Sequence, residues 1–146
     1  MAVLASGGAA TYVRSRNTRR EERQIRISVA ELNKRIQRGD KLTVVDLRHP
    51  LDVLAAPQLI PGAIPIGPND LDARLPEIPR AREVVLYCTC PNEETSLQAY
   101  RKLNDRGFDH VQVLTGGLPA WKQAKLPLQN LYPEVEKQVR SRAQAG

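Results

Sequence analysis

Val84-Val85-Leu86-Tyr87-Cys88-Thr89-Cys90-Pro91-Asn92-Glu93-Glu94-Thr95-Ser96 runs from an apolar, β-branched segment into a short polar loop. A helical pattern follows: Leu97, Tyr100 and Leu103 recur at helical spacing, and Gly107 supplies a stop. A cysteine at the end of a buried strand, facing the start of a helix, meets free backbone N–H groups and the positive end of the helix dipole. Such surroundings lower a thiol pKa from about 8.5 into the ~3.5–7.5 range and make a nucleophile of it. The stretch therefore reads as a strand–loop–helix unit built around a reactive sulfur.

The same alternation continues on both sides. Ile25-Arg26-Ile27 is a short first strand, and Ser28-Val29-Ala30-Glu31 is a capping box that opens a helix through Leu32 and Ile36 to Gly39. Leu42-Thr43-Val44-Val45-Asp46-Leu47-Arg48 is a buried strand ending in an acid and a base, and His49-Pro50 stops it. Leu51 to Ala56 suits a short helix, Ile60 to Ile66 a tight turn and an extended piece, and Asn69-Asp70 the cap of a helix over Leu71 and Leu75. Val111 to Leu114 is a last strand, Gly116-Gly117 turns the chain, and Leu118 to Lys122 begins a final short helix. Apolar strands alternating with helices imply an α/β domain whose parallel sheet is covered on both faces. Ligands of such sheets bind beyond the C-terminal strand ends, where Cys88 and Cys90 stand.

The chain has 146 residues, enough for one domain with a real core, and only six aromatic residues, so Val, Leu, Ile and Ala must fill it. The boundaries read as a basic tail or juxtamembrane segment over 1–24, a folded domain over 25–128 and a polar C-terminal tail over 129–146. The net charge of +6 is uneven. Six arginines from Arg14 to Arg26 against Glu21 and Glu22 give residues 1–26 a net +4. No aromatic residues interleave with the basic ones, which argues against a nucleic-acid partner. The uncharged Met1 to Val13 stretch is too short to span a bilayer, and its arginines follow rather than precede it, unlike a signal peptide. Two readings stand: an unstructured tail, or the end of a membrane helix with a basic segment contacting a membrane surface. Cys88 and Cys90 cannot form a disulfide framework, and His49 and His110 make no zinc motif with them. A reducing, cytoplasmic setting fits this usage.

Taken together, Asp46-Leu47-Arg48, Ile60-Pro61-Gly62-Ala63, the strand–cysteine–loop–helix unit, Gly107-Phe108 and Gly116-Gly117-Leu118-Pro119-Ala120-Trp121 resemble the rhodanese domain, a sulfurtransferase fold. The resemblance covers about Ile25 to Leu128 and implies a five-stranded parallel sheet. In that family the Gly-Phe pair follows the catalytic cysteine by about seventeen to eighteen residues. Cys90 fits that spacing and Cys88 does not. Pro91-Asn92 also turns the chain directly after Cys90, whereas Cys88 still belongs to the strand. Cys90 is thus the expected nucleophile; Cys88 is either a packed strand residue or a resolving thiol for Cys90.

The resemblance implies that Cys90, Pro91, Asn92, Glu93, Glu94, Thr95 and Ser96 form a loop that binds the substrate sulfur. Cys90 would take sulfane sulfur from a thiosulfate- or persulfide-type donor, hold it as a persulfide and pass it to a thiol or cyanide acceptor, with no cofactor and no metal. Partners would be small sulfur compounds or a thiol protein. Pro91 offers no N–H to the cradle. Glu93 and Glu94 would raise the thiol pKa and repel dianions unless they act as helix-start acids. Asp46 and Arg48 would support the site through an ion pair or backbone contacts. The related phosphatases carry an arginine six residues past the cysteine; here that place is held by Ser96 after Cys90 and by Glu94 after Cys88. Cys90-Pro91-Asn92-Glu93 also resembles the loop of rhodanese domains at the cytoplasmic end of DedA-type membrane proteins, where a basic segment much like Arg14 to Arg26 precedes the domain. A catalytically weak binding or sensory module is the alternative function.

Overall fold

The structure, a computed structural model, describes residues 20, 21 and 23–146. Along the chain it runs β1 (Arg26–Ile27), α1 (Val29–Arg38), β2 (Leu42–Asp46), α2 (Pro50–Ala55), β3 (Gln58–Leu59), β4 (Ile64–Pro65), α3 (Leu71–Arg74), β5 (Glu83–Tyr87), α4 (Glu94–Asp105), β6 (Val111–Leu114), α5 (Gly117–Gln123), β7 (Gln129–Asn130) and α6 (Pro133–Gln144). Five strands form one sheet in the order β1-β6-β5-β2-β4. Every pairing in it is parallel, with Thr43 beside Val84 and Asp46 beside Tyr87 at the centre. This is the α/β architecture expected from the alternating strand and helix patterns.

Side-chain parity along β5 divides the core. Val84, Leu86 and Cys88 point to one face, where they meet Leu71 of α3 and Ala99 and Leu103 of α4. Val85 and Tyr87 point to the other, against Leu32 of α1 and Leu118 and Trp121 of α5. Each face thus buries alternate residues of the same strand. α1 starts where Ser28 Oγ accepts a 3.1 Å bond from the Glu31 amide, and it ends at Gly39 in the left-handed region (φ 79°).

The segment read as a polar tail from 129 onward begins inside the fold. β7 pairs antiparallel with β3, Gln129 Oε1 accepts from the Gly62 amide at 2.9 Å, and the Leu131 amide reaches Pro57 O at 2.8 Å. A two-residue pairing carries no readable period, so only the tertiary contact reveals it. α6 follows with no buried residue. Of the basic segment, Arg14, Arg16 and Arg19 lie outside the described residues, as does the Met1–Val13 stretch. Among the described residues no helix is long and apolar enough to cross a membrane.

Candidate active site

β5 ends at Tyr87, and the chain passes Cys88 and Cys90 before a single 3-10 turn, Pro91–Glu93, leads into α4. Asn92 (φ 57°) and Glu93 (φ 53°) both occupy the left-handed region. Such conformations cost about 1–3 kcal/mol each outside glycine and persist only where the surroundings hold them. Here the holder is Glu93 itself. Its buried carboxylate pairs with Arg26 of β1 through one oxygen and accepts the Gly116 amide at 2.6 Å through the other. The loop is thereby tied to the sheet edge and to the turn before α5.

At the loop's mouth, Cys90 Sγ is half-buried, 2.8 Å from Thr95 Oγ1 in the first turn of α4 and 3.0 Å from Cys88 Sγ. Cys88 is 1% exposed. Burial alone would raise the Cys90 thiol pKa, but the Thr95 hydroxyl, the Cys88 thiol and the Thr95 amide all bond to the thiolate, and the balance is a lowered value. Cys88 goes the other way, held up chiefly by burial. The sequence expectation that Glu93 would raise the pKa of Cys90 is corrected: its carboxylate is turned inward onto Arg26 and Gly116. Arg26, counted with the basic membrane-facing segment, is likewise engaged inside the fold. Glu94 stays exposed at the start of α4 and meets Gln98. Since only the thiolate reacts, the rate–pH profile of Cys90 toward iodoacetamide should lie on the acid side of that of an ordinary cysteine, with faster alkylation at any pH below the ordinary midpoint. A profile superimposable on that of a free thiol would refute the lowered pKa.

Asp46 and Arg48 come together, but not with Cys90. The Arg48 fork grips the Asp46 carboxylate at 2.7–3.0 Å and donates onward to Ala56 O (2.9 Å) and Gln58 O (3.0 Å). Tyr87 donates to Asp46 at 2.8 Å and accepts the Ile60 amide at 3.3 Å. Both members are buried, so the network fixes the 56–60 segment beside β2 and β5, and none of its bonds goes to Cys90. Ser96, at the position where a phosphatase carries arginine, is buried with no conventional hydrogen-bond partner for its hydroxyl. That hydroxyl and the Ser96 amide act on the Cys88 sulfur, favouring its thiolate. Two features had no sequence signal: the inward turn of Glu93, which needs a left-handed glutamate, and the Ser96–Cys88 contact. The sulfur–sulfur contact had a partial one, because residues two apart on a strand share a face. A small cleft of about 90 Å³ opens beside Thr95, lined by Pro68, Leu71, Gln98, Ala99 and Lys102. Among the described residues no three His, Cys, Asp or Glu side chains gather as a metal ligand set.

The rhodanese-like domain family matches residues 28–124, which include the whole sheet except β1 together with the cysteine loop. The chain belongs to that family. A sulfurtransferase of Allochromatium vinosum is 32% identical over 102 residues, covering 70% of this chain and 92% of that protein. An HTH-type transcriptional regulator of Mycobacterium tuberculosis is 35% identical over 102 residues, which span 70% of this chain but only 43% of the regulator. In three dimensions, the crystal structure of a full-length Lactobacillus plantarum protein superposes with a TM-score of 0.71 at 25% identity, over 82% of this chain and 99% of the other. These likenesses support a sulfurtransferase-type activity for this rhodanese-like domain.

Proposed function

We propose that this rhodanese-like domain is a sulfurtransferase in which Cys90 carries sulfane sulfur as a persulfide. The observation that carries the reading is the setting of Cys90 Sγ: at the C-terminal end of β5, half-exposed, 2.8 Å from Thr95 Oγ1 at the start of a twelve-residue helix. The thiolate attacks the outer sulfur of a thiosulfate- or persulfide-type donor, whose remainder leaves with the bonding electron pair. The resulting Cys90 persulfide is anionic, and the helix start and the Thr95 hydroxyl favour that charge. A thiol or cyanide acceptor then takes the outer sulfur and returns the thiolate. Asp46 and Arg48 act only by holding the neighbouring backbone.

The test exposes reduced protein to thiosulfate and, separately, to a low-molecular-weight persulfide, followed by intact mass. Wild-type protein should gain one sulfur, and Cys90→Ser should gain none and lose transfer activity to background. A sulfur gain that survives Cys90→Ser would sink the assignment. The better donor identifies the substrate class: the exposed Glu94 disfavours dianions, so the persulfide is expected to load faster. The likeness to part of a transcriptional regulator favours one second reading, a sensory module. Absence of any sulfur gain would select it.

A further inference from the structure

Family membership and the persulfide reading assign work to Cys90 and leave Cys88 idle, yet the two sulfurs stand 3.0 Å apart. Extended residues two apart have Cα atoms roughly 6.5 Å from each other, at the far edge of disulfide reach. The chain bends after Tyr87, and the shared parity of Cys88 and Cys90 aims both sulfurs at the α4 face. The fully buried Ser96 hydroxyl, in the first turn of α4, is the one buried side-chain oxygen among the described residues without a conventional partner. A hydroxyl without a partner is free to turn onto the Cys88 sulfur as its proton leaves, and its influence there favours the thiolate.

We propose that Cys88 is a second catalytic thiol that discharges the Cys90 persulfide by attacking Cys90 Sγ, closing a Cys88–Cys90 disulfide and expelling the outer sulfur as hydrosulfide. The inference rests on the reading of Cys90 as a persulfide carrier. Geometry selects the inner sulfur as the target. Cys88 is sealed beneath Cys90, whereas Cys90 is open on its outer side, so the transferred sulfur projects outward and Cys88 approaches from behind. The step balances: Cys88–SH and Cys90–S–S⁻ give Cys88–S–S–Cys90 and HS⁻. The S–S bond of the persulfide breaks and its electron pair leaves with the outer sulfur, which takes a proton from solvent on the open side while Cys88 gives its own up, so the proton count is unchanged. The sulfane sulfur is reduced, and the two cysteine sulfurs are oxidised. Burial favours the protonated form of Cys88 while the surroundings of Cys90 favour its thiolate, so Cys90 is the sulfur that loads. A ring closed over one intervening residue is strained, and a strained disulfide is readily opened by exchange. A small dithiol would therefore restore both thiols, and the domain would turn a sulfane-sulfur donor into free sulfide whenever no sulfur acceptor competes.

The experiment loads reduced full-length protein with glutathione persulfide, removes the donor and all free thiol, and follows intact mass and released sulfide. The expected course is a gain of one sulfur, then conversion to a species two hydrogens lighter than the reduced protein, with one equivalent of sulfide. The tryptic peptide between Arg82 and Arg101 holds both cysteines, so its mass places the bond in wild-type protein without any substitution. Cys88→Ser should retain the sulfur at least about tenfold longer. Ser96→Ala should slow disulfide formation by about tenfold, the effect of losing a hydrogen bond that forms only as the Cys88 sulfur becomes charged. Wild-type persulfide that outlasts sulfide release, or that decays no faster than in Cys88→Ser, overturns this inference and leaves the sulfurtransferase reading standing. Failure to load any sulfur overturns both.

Discussion

Asp46→Ala should lower folding stability by about 3–5 kcal/mol, the usual cost of stranding a buried charge. Asp46 is fully buried, and the Arg48 side chain it grips is only 2% exposed. Removing the carboxylate leaves a guanidinium with two carbonyl acceptors and no bonded counter-charge, and it also strips the Tyr87 hydroxyl of its acceptor. Replacing both partners with apolar residues would not restore the loss. Arg48 is also the donor to Ala56 O and Gln58 O, which would then be left unsatisfied. Urea unfolding measures the effect directly, and the melting temperature should fall by ~10 °C or more for a chain of this size. A loss under about 1 kcal/mol would show that water reaches the pair in solution.

Gly117→Ala should damage both stability and the site. A Cβ at Gly117 would stand 2.2 Å from Cys88 O, and the residue's φ of +56° is one that L side chains rarely adopt. The amide of the next residue, Leu118, bonds that same carbonyl at 3.0 Å, so the start of α5 presses on the backbone between the two thiols. The backbone must move, at an expected cost of about 2–4 kcal/mol. Gly39→Ala supplies the comparison: its φ of +79° is similar, but a Cβ there would meet nothing within 4 Å. That change should cost only ~1 kcal/mol and leave sulfur loading of Cys90 untouched. Equal effects of the two substitutions on melting temperature and loading rate would exclude the steric account.

Where local chemistry decides the outcome, the sequence reading and the structure agree. Ser28 and Gly39 bound α1, the Val111–Leu114 run is β6 to the residue, and the Leu97, Tyr100 and Leu103 spacing lies within α4. These segments carry their own period and their own stops. The β3–β7 pair is different: each strand has two residues, and their stability comes from partners some seventy positions away. The candidate site divides along the same line. The strand end and the turn after Cys90 are local properties. The direction of Glu93 is not. Beside a cysteine, a glutamate reads as a neighbouring negative charge, and only the meeting of Arg26 and Gly116 around it turns the side chain inward. The sulfur–sulfur contact combines both kinds, since parity is local while the bend that closes the gap lies against the start of α5, where the Leu118 amide bonds the Cys88 carbonyl.

The tie from Glu93 to Arg26 also has a kinetic meaning. It joins residues 67 positions apart, and β1 lies at the far edge of the sheet, reaching β5 only through β6. Closing so long a stretch of chain carries an entropic cost that is recovered only once the intervening strands have paired. The left-handed loop around Cys90 therefore cannot be held in shape by an early, local nucleus. During refolding β5 would pair with its neighbours before the loop after it took its final shape, and the appearance of Cys90 chemistry would mark the moment when β1 docks.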